Sequence, residues 1–323
     1  VTTEISLASL ARNPIPSGAV AGLLAGKDGV LLRHARWDAT RGPRRGTACV
    51  FPGRGEPIEK YFETVADLRR RGYAVAVLDW RGQGGSERLL DNPRKGHVGA
   101  FADYEADVRG FMTEIVLPHC PGPYIALGNS MGGNVLLRLA GVQDIWFERM
   151  VLCAPMLDIA PERLPVPPNL AKTLAKVAGI GPLGRMYVPG GSDVPVDLCP
   201  FEGNVFTSDR DRFARNRQLT EQCPDLAIGS PTNRWLKAAY ASCARLMKLE
   251  TAVRVRIPML LVAAGMDQIV SSSAIETFAS RLKVGARVAL AGSLHEILQE
   301  RDEIRLRFWA AFDAYLGTSS LAA

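Results

Sequence analysis

The sequence predicts an α/β fold, with a mostly parallel, doubly wound sheet and one mainly helical insertion. Three observations carry that expectation. Short apolar runs alternate with stretches of helical periodicity through residues 47–155, and again from 257 onward. Several runs, YAVAVLD at 73–79 above all, are apolar at nearly every position, as strands covered on both faces of a parallel sheet must be. Between the two blocks, residues 158–236 hold many of the chain's 21 prolines and no convincing buried strand.

The elements follow in order. TACVF at 47–51 is a short strand closed by Pro52-Gly53. Residues 58–71 place Ile58, Phe62, Val65 and Leu68 at helical spacing and stop at Gly72. The strand at 73–79 comes next, then a helix from about Tyr104 to Val116 and the strand YIALG at 124–128. A second helix starts behind Ser130 and runs to about Gly141, before the strand RMVLCAP at 149–155. This βαβαβ alternation requires parallel strands. Short helices joined by loops are expected through 158–236, including the charged stretch TSDRDRFARNRQ at 207–218. The sheet resumes with IPMLLVAA at 257–264, a helix at about 273–282 and the strand ARVAL at 286–290. An amphipathic helix from about Glu296 to Tyr315 closes the pattern. The core is thus read as 1–157 and 237–323, with 158–236 inserted into it.

The totals narrow the function. A chain of 323 residues, 47% hydrophobic and 22% charged, has the apolar mass for a large core. No run approaches the roughly 18 apolar residues of a membrane span, and the N-terminal residues lack the order of a signal peptide. A cytoplasmic protein is the expectation. The net charge of +6 reads plainly as a solvated basic surface; its sharper reading is peripheral contact with anionic lipid head groups. Its short basic clusters, at Arg41–Arg45 and Arg69–Arg71, fall in a turn and at a helix end. No basic run is interleaved with aromatics, so nucleic acid is not the expected partner. The six cysteines are dispersed, without the paired spacing of a zinc site, and read as reduced thiols; Cys49 and Cys153 fall inside strands.

Chemistry concentrates at YIALGNSMGGN, residues 124–134. Gly128-Asn129-Ser130-Met131-Gly132 is a G-x-S-x-G string between a buried strand and a helix, the context in which a sharp turn exposes a serine hydroxyl. The alternative is an ordinary strand-to-helix turn. A serine needs a base, and of the four histidines only His295 follows Ser130, as the chain order of such a triad requires. The acid belongs at a strand end between them. Asp267 fits, three residues past an apolar run, and Asp158 is the second choice. The oxyanion donors are expected to be the backbone N–H of Met131 and that of Arg54, in the loop after the first of these strands. Whether the Arg54 side chain faces substrate or solvent stays open.

With these residues in view, FPGRGEPIEKYFETVADLRRRGYAVAVLDWRGQGGSE, GNSMGG, AGMDQIV and SLHEI together resemble the α/β-hydrolase family, in its monoglyceride lipase and lysophospholipase branch. LCAPMLDI and the stretch 207–242 are similar to bacterial lysophospholipases of the L2 type. The likeness covers roughly residues 25–315. It departs at Pro52-Gly53, where the family has His-Gly; that histidine is no member of the triad. The resemblance implies hydrolysis of a carboxylic ester in a single-acyl lipid, without metal or organic cofactor, and 158–236 as a cap over the acyl pocket. It also implies that Asp79, Arg81, Gly82, Gly84 and Ser86 form a structural loop, and that His97 is structural. An iminopeptidase, a general carboxylesterase or an acyltransferase on the same triad is the alternative, and a non-catalytic scaffold the remotest. An iminopeptidase would need acids such as Glu202, Asp209, Asp211 or Glu221 free to bind an amine.

Overall fold

A computed structural model describes residues 5–40, 44–141, 145–159 and 167–317. Arg41 of the expected turn, and Pro161 and Pro165 of the insertion, lie outside the described residues. The frame is a sheet. β1 (Val20–Ala25) and β2 (Leu31–Trp37) pair antiparallel, and β2 pairs antiparallel with β4 (Ala74–Leu78). Every later pairing is parallel: β4 with β3 (Thr47–Phe51), β3 with β5 (Tyr124–Asn129), β5 with β6 (Phe147–Cys153), β6 with β7 (Met259–Ala264), and β7 with β8 (Gly285–Leu290). The spatial order is β1-β2-β4-β3-β5-β6-β7-β8. Every residue of β3, β4 and β7 is buried, which the unbroken apolar runs require. Cys49 and Cys153 are buried within β3 and β6.

The crossovers supply the helices. A 3-10 turn at Ile58–Tyr61 feeds α1 (Phe62–Arg70). The next helix, α2 (Phe101–Phe111), begins three residues before its expected start, because the Asp103 carboxylate reaches back to accept from the Ala100 N–H at 2.9 Å. A π turn at Met112–Val116 and the short α3 (Leu117–His119) complete that crossover. α4 (Met131–Ala140) follows β5 directly. Between β6 and β7 lie α5 (Pro168–Ala178), α6 (Arg210–Gln222), α7 (Asn233–Leu246) and α8 (Leu249–Arg254). The expected boundary at 236 falls inside α7, whose Ala239, Ser242, Cys243 and Leu246 are buried and whose Ser242 donates to Asn134 of α4 at 2.6 Å.

α9 (Ser272–Ala279) links β7 to β8, and α10 (Asp302–Leu316) closes the described chain. The single closing helix expected from Glu296 is in fact two pieces, a 3-10 turn at Ile297–Gln299 and α10. The break has a cause. Glu300 is extended, and its carboxylate turns inward to accept from the Leu294 N–H at 2.7 Å and the Ser208 hydroxyl at 2.5 Å. No helix among the described residues is long and apolar enough to cross a membrane.

Candidate active site

β5 ends at Asn129 and α4 begins at Met131, leaving Ser130 on the bend with φ 48° and ψ −110°. A side chain at positive φ is strained and persists only where its surroundings over-determine it. Here they do. Ser130 N donates to the Cys153 carbonyl at 2.9 Å, and its own carbonyl accepts from Asn134 N and Met156 N at 3.1 and 3.0 Å. The motif's glycines answer to close contacts. A Cβ on Gly132 would lie 2.1 Å from the Phe51 carbonyl oxygen, and one on Gly128 2.6 Å from Leu136.

His295 stands on the loop after β8, and Asp267 on the loop after β7. His295 Nε2 lies 2.9 Å from Ser130 Oγ, and Nδ1 lies 2.8 Å from Asp267 Oδ2. The other carboxylate oxygen, Asp267 Oδ1, accepts from Ile269 N and Val270 N at 2.8 and 3.0 Å, so its own loop fixes the acid independently of the histidine. Burial alone would push the His295 imidazole down; the Asp267 carboxylate, with Glu296 and Glu56 nearby, outweighs it and holds the ring above its ordinary value. Asp158, the second choice for the acid, is turned elsewhere, toward Lys172 at 3.3 Å. A hydroxyl hydrogen-bonded to an imidazole that is itself backed by a carboxylate can yield its proton as it attacks a carbonyl carbon.

The two expected oxyanion donors flank this line. Met131 opens α4, so its N–H has no carbonyl one turn back to bond. The loop 52–55 carrying Arg54 is tied down from several sides. Trp80 Nε1 donates to the Pro52 carbonyl at 2.8 Å, and the buried Glu56 carboxylate accepts from the Gly53 N–H and, at 2.9 Å, from Asn129 Nδ2. One carboxylate therefore joins this loop to the residue before Ser130. The question left open for the Arg54 side chain has an answer: it lies in the wall, donating to the Gly229 carbonyl at 2.6 Å and sitting 5.3 Å over the Trp235 ring. Burial pushes its guanidinium down to about 10.

Several residues around the site escaped the sequence reading. Lys60 Nζ lies 2.8 Å from Glu296 and 3.6 Å from Asp197, all nearly enclosed. Burial, with Glu56 and Asp197 nearby, outweighs Lys60 and pushes Glu296 up to about 7. The signal was a charge beside a glycine turn or an expected catalytic residue, as in GRGEPIEK and LHEI. The inserted segment also touches the site: Glu296 N donates to the Phe206 carbonyl at 2.8 Å, and the Phe206 ring is 6.5 Å from the imidazole. Outside it, His97 pairs with Thr232 at 2.9 Å, and burial pushes it down to about 4. Asp79 accepts from Arg33 Nε, Ile58 N and Gly85 N at 2.6, 2.9 and 2.7 Å, so its loop is a buried structural tie.

Comparison with known proteins supplies the family context. The family model described as serine aminopeptidase, S33, matches residues 42–302. Lysophospholipase L2 of Escherichia coli strain K12 is 32% identical over 294 residues, covering 87% of this chain and 82% of that protein. Among solved structures, a soluble variant of monoglyceride lipase from Saccharomyces cerevisiae, in complex with a substrate analog, superposes with a TM-score of 0.70 at 19% identity, covering 91% of this chain and 95% of that one. The monoacylglycerol lipase of Paleococcus ferrophilus gives 0.68 at 21% identity, covering 89% of this chain and 99% of that one. Identities this low show a shared fold.

Proposed function

The chain belongs to the serine aminopeptidase S33 family of α/β-hydrolases, and from that premise we propose that it cleaves the carboxylic ester of a single-acyl lipid, a lysophospholipid or a monoacylglycerol, through an acyl-enzyme on Ser130. The observation that carries this reading is the unbroken hydrogen-bonded line Ser130–His295–Asp267 on a strained G-x-S-x-G turn. The lipid substrate comes from the likeness to lysophospholipase L2.

Ser130 Oγ attacks the ester carbonyl carbon while His295 Nε2 takes its proton. The Asp267 carboxylate steadies the imidazolium, and the N–H groups of Arg54 and Met131 receive the oxyanion. Collapse of the tetrahedral intermediate breaks the ester C–O bond, and His295 returns the proton to the departing alcohol. Water, deprotonated by the same histidine, then attacks the acyl-enzyme and frees the fatty acid. Residues 158–236 serve as the cap over the acyl chain. Phe206 beside the imidazole supports that role, as does the Gly229–Trp235 stretch against Arg54. The protein works in the cytoplasm in peripheral contact with an anionic membrane. The exposed Leu170, Leu174 and Val177 of α5, interleaved with Lys172 and Lys176, support that placement.

An iminopeptidase fits less well. The four acids named for an amine are each engaged by an arginine: Glu202 by Arg210, Asp209 by Arg212, Asp211 by Arg12 and Glu221 by Arg217. The test is release of product from a panel of lysophospholipids, monoacylglycerols, short esters and aminoacyl amides. Fatty acid release from the lipids is expected, with a loss of about 10⁶-fold in Ser130→Ala. Turnover confined to the amides would replace the lipid reading, and undiminished turnover by Ser130→Ala would remove the mechanism.

A further inference from the structure

On the flank of the molecule, α7, the start of α2 and the turn at Gly179–Ile180 enclose a cavity of about 430 Å³. Four cations line it: Arg138, Arg234, Lys237 and Arg245. Arg138 is already committed, to Glu105 and to Ser242 Oγ at 3.2 Å. Arg245 stands 3.9 Å from the same Glu105, so one carboxylate serves two guanidiniums. Asp103, in the first turn of α2, is spent on the Ala100 N–H. Arg234 and Lys237 have no side-chain hydrogen bond or ion pair among the described residues, and Arg234 Nε is buried without a partner.

These cations are held in place. A Cβ on Gly179 would lie 2.6 Å from the Lys237 stem, and one on Gly184 would lie 3.2 Å from Arg234 Nε. Bare backbone therefore rests against both side chains. Gathering positive charge with one shared carboxylate is unfavourable. An oxyanion in the cavity relieves it. The planar guanidinium fork and the point charge of the lysine match phosphate. The volume exceeds that of one oxyanion, and Ile180, 59% exposed, gives an organic group an apolar contact at the rim.

We propose that this cavity binds the phosphate of a phosphate ester, at a site distinct from Ser130, none of whose partners lines it. The phosphate can come from an acidic phospholipid head group or from a soluble ester, and Arg234 and Lys237 are its principal ligands.

The proposal does not depend on hydrolysis, so binding is measured on the full chain with and without Ser130→Ala. One arm is calorimetric titration with glycerol 3-phosphate at low ionic strength. The other is co-sedimentation with vesicles of phosphatidylcholine alone and of phosphatidylcholine with phosphatidylglycerol. Arg234→Gln/Lys237→Gln is compared with Lys248→Gln/Arg256→Gln, which removes equal charge from exposed positions. Melting temperatures check that each variant is folded.

Saturable titration weakened at least about tenfold only by the first pair supports a soluble phosphate ester. Sedimentation that needs phosphatidylglycerol and is weakened as selectively supports a head group. Binding to neither probe, or equal losses in both variant pairs, overturns the proposal. So does binding that Arg234→Gln/Lys237→Gln leaves intact.

Discussion

The sheet and the segment inserted after β6 are held by different forces. β3, β4 and β7 are buried at every position and interlock through shape. In the inserted segment, Leu170, Leu174, Val177, Ile180, Leu183 and Met186 are 47–64% exposed. What fastens α6 to the frame is charge. Arg212 reaches Glu63 of α1 and Asp302 of α10, both at 2.6 Å, and Arg215 reaches Glu63 at 2.8 Å. Packed apolar surface resists substitution, whereas ion pairs at a half-open seam exchange partners and respond to salt. The strands behind Ser130, His295 and Asp267 are therefore fixed by packing, whereas the inserted segment meets the His295 loop through polar contacts such as Glu296 N to the Phe206 carbonyl at 2.8 Å.

Four measurements break or sharpen this contrast. The largest effect belongs to the frame's chemistry: Asp267→Asn is expected to lower kcat by about 10⁴-fold with the fold intact. Activity requires neutral His295, so in the parent it rises with pH through a limb above the ordinary histidine value. Without the carboxylate that limb moves to lower pH, which a pH–rate profile reads directly. An unmoved limb would take the carboxylate out of the line.

Next comes packing. Leu261→Ala, in the middle of β7, is expected to cost about 2–5 kcal/mol in denaturant unfolding. A cost under about 0.5 kcal/mol would mean that the sheet is not the rigid partner.

The seam follows. Burial alone would raise Glu63, but Arg212, Arg305 and Arg215 outweigh it and hold the carboxyl down to about 2, against 4.5 ordinarily. A depressed carboxyl stabilises the fold above its unfolded value, and that stabilisation fades as pH falls toward the folded one. Glu63→Gln should thus cost about 1–2 kcal/mol at neutral pH, less in high salt, and only a small fraction of that near pH 2. A difference from the parent that stays undiminished at pH 2 would show the seam to be held by something other than charge.

The smallest effect is expected from Leu174→Gln on α5, within about 0.5 kcal/mol in stability. A loss as large as that of Leu261→Ala would abolish the distinction between the two regions.

The parallel half of the sheet was legible because β3, β4 and β7 are unbroken apolar runs that stretches of helical spacing separate. β1 and β2 were not, and the reason is electrostatic. β2 carries Arg33, His34 and Arg36, which break its apolar run; yet Arg33 is buried, neutralised by Glu59 and Asp79 at 2.6 Å each. A pairing between residues 26 and 46 positions apart leaves no local pattern. The closing helix was misjudged for a similar reason, since Glu300 leaves helical geometry to meet Ser208, 92 residues away. At the site, the meeting of Ser130, Asp267 and His295 could be anticipated because strand-end position and chain order are written locally. Glu56, Lys60 and Glu296 could not, because their meaning lies in which charges the fold encloses together.

Ser130 and His295 are 165 residues apart, and Asp267 lies 28 before the histidine. The parts are therefore synthesised far out of step. A ribosome that has already extruded the serine turn still has the base to make, and a chain stalled anywhere in that interval carries an unactivated hydroxyl. A serine hydrolase assembled this way gains its base only late in synthesis, once β8 and the loop behind it have been made.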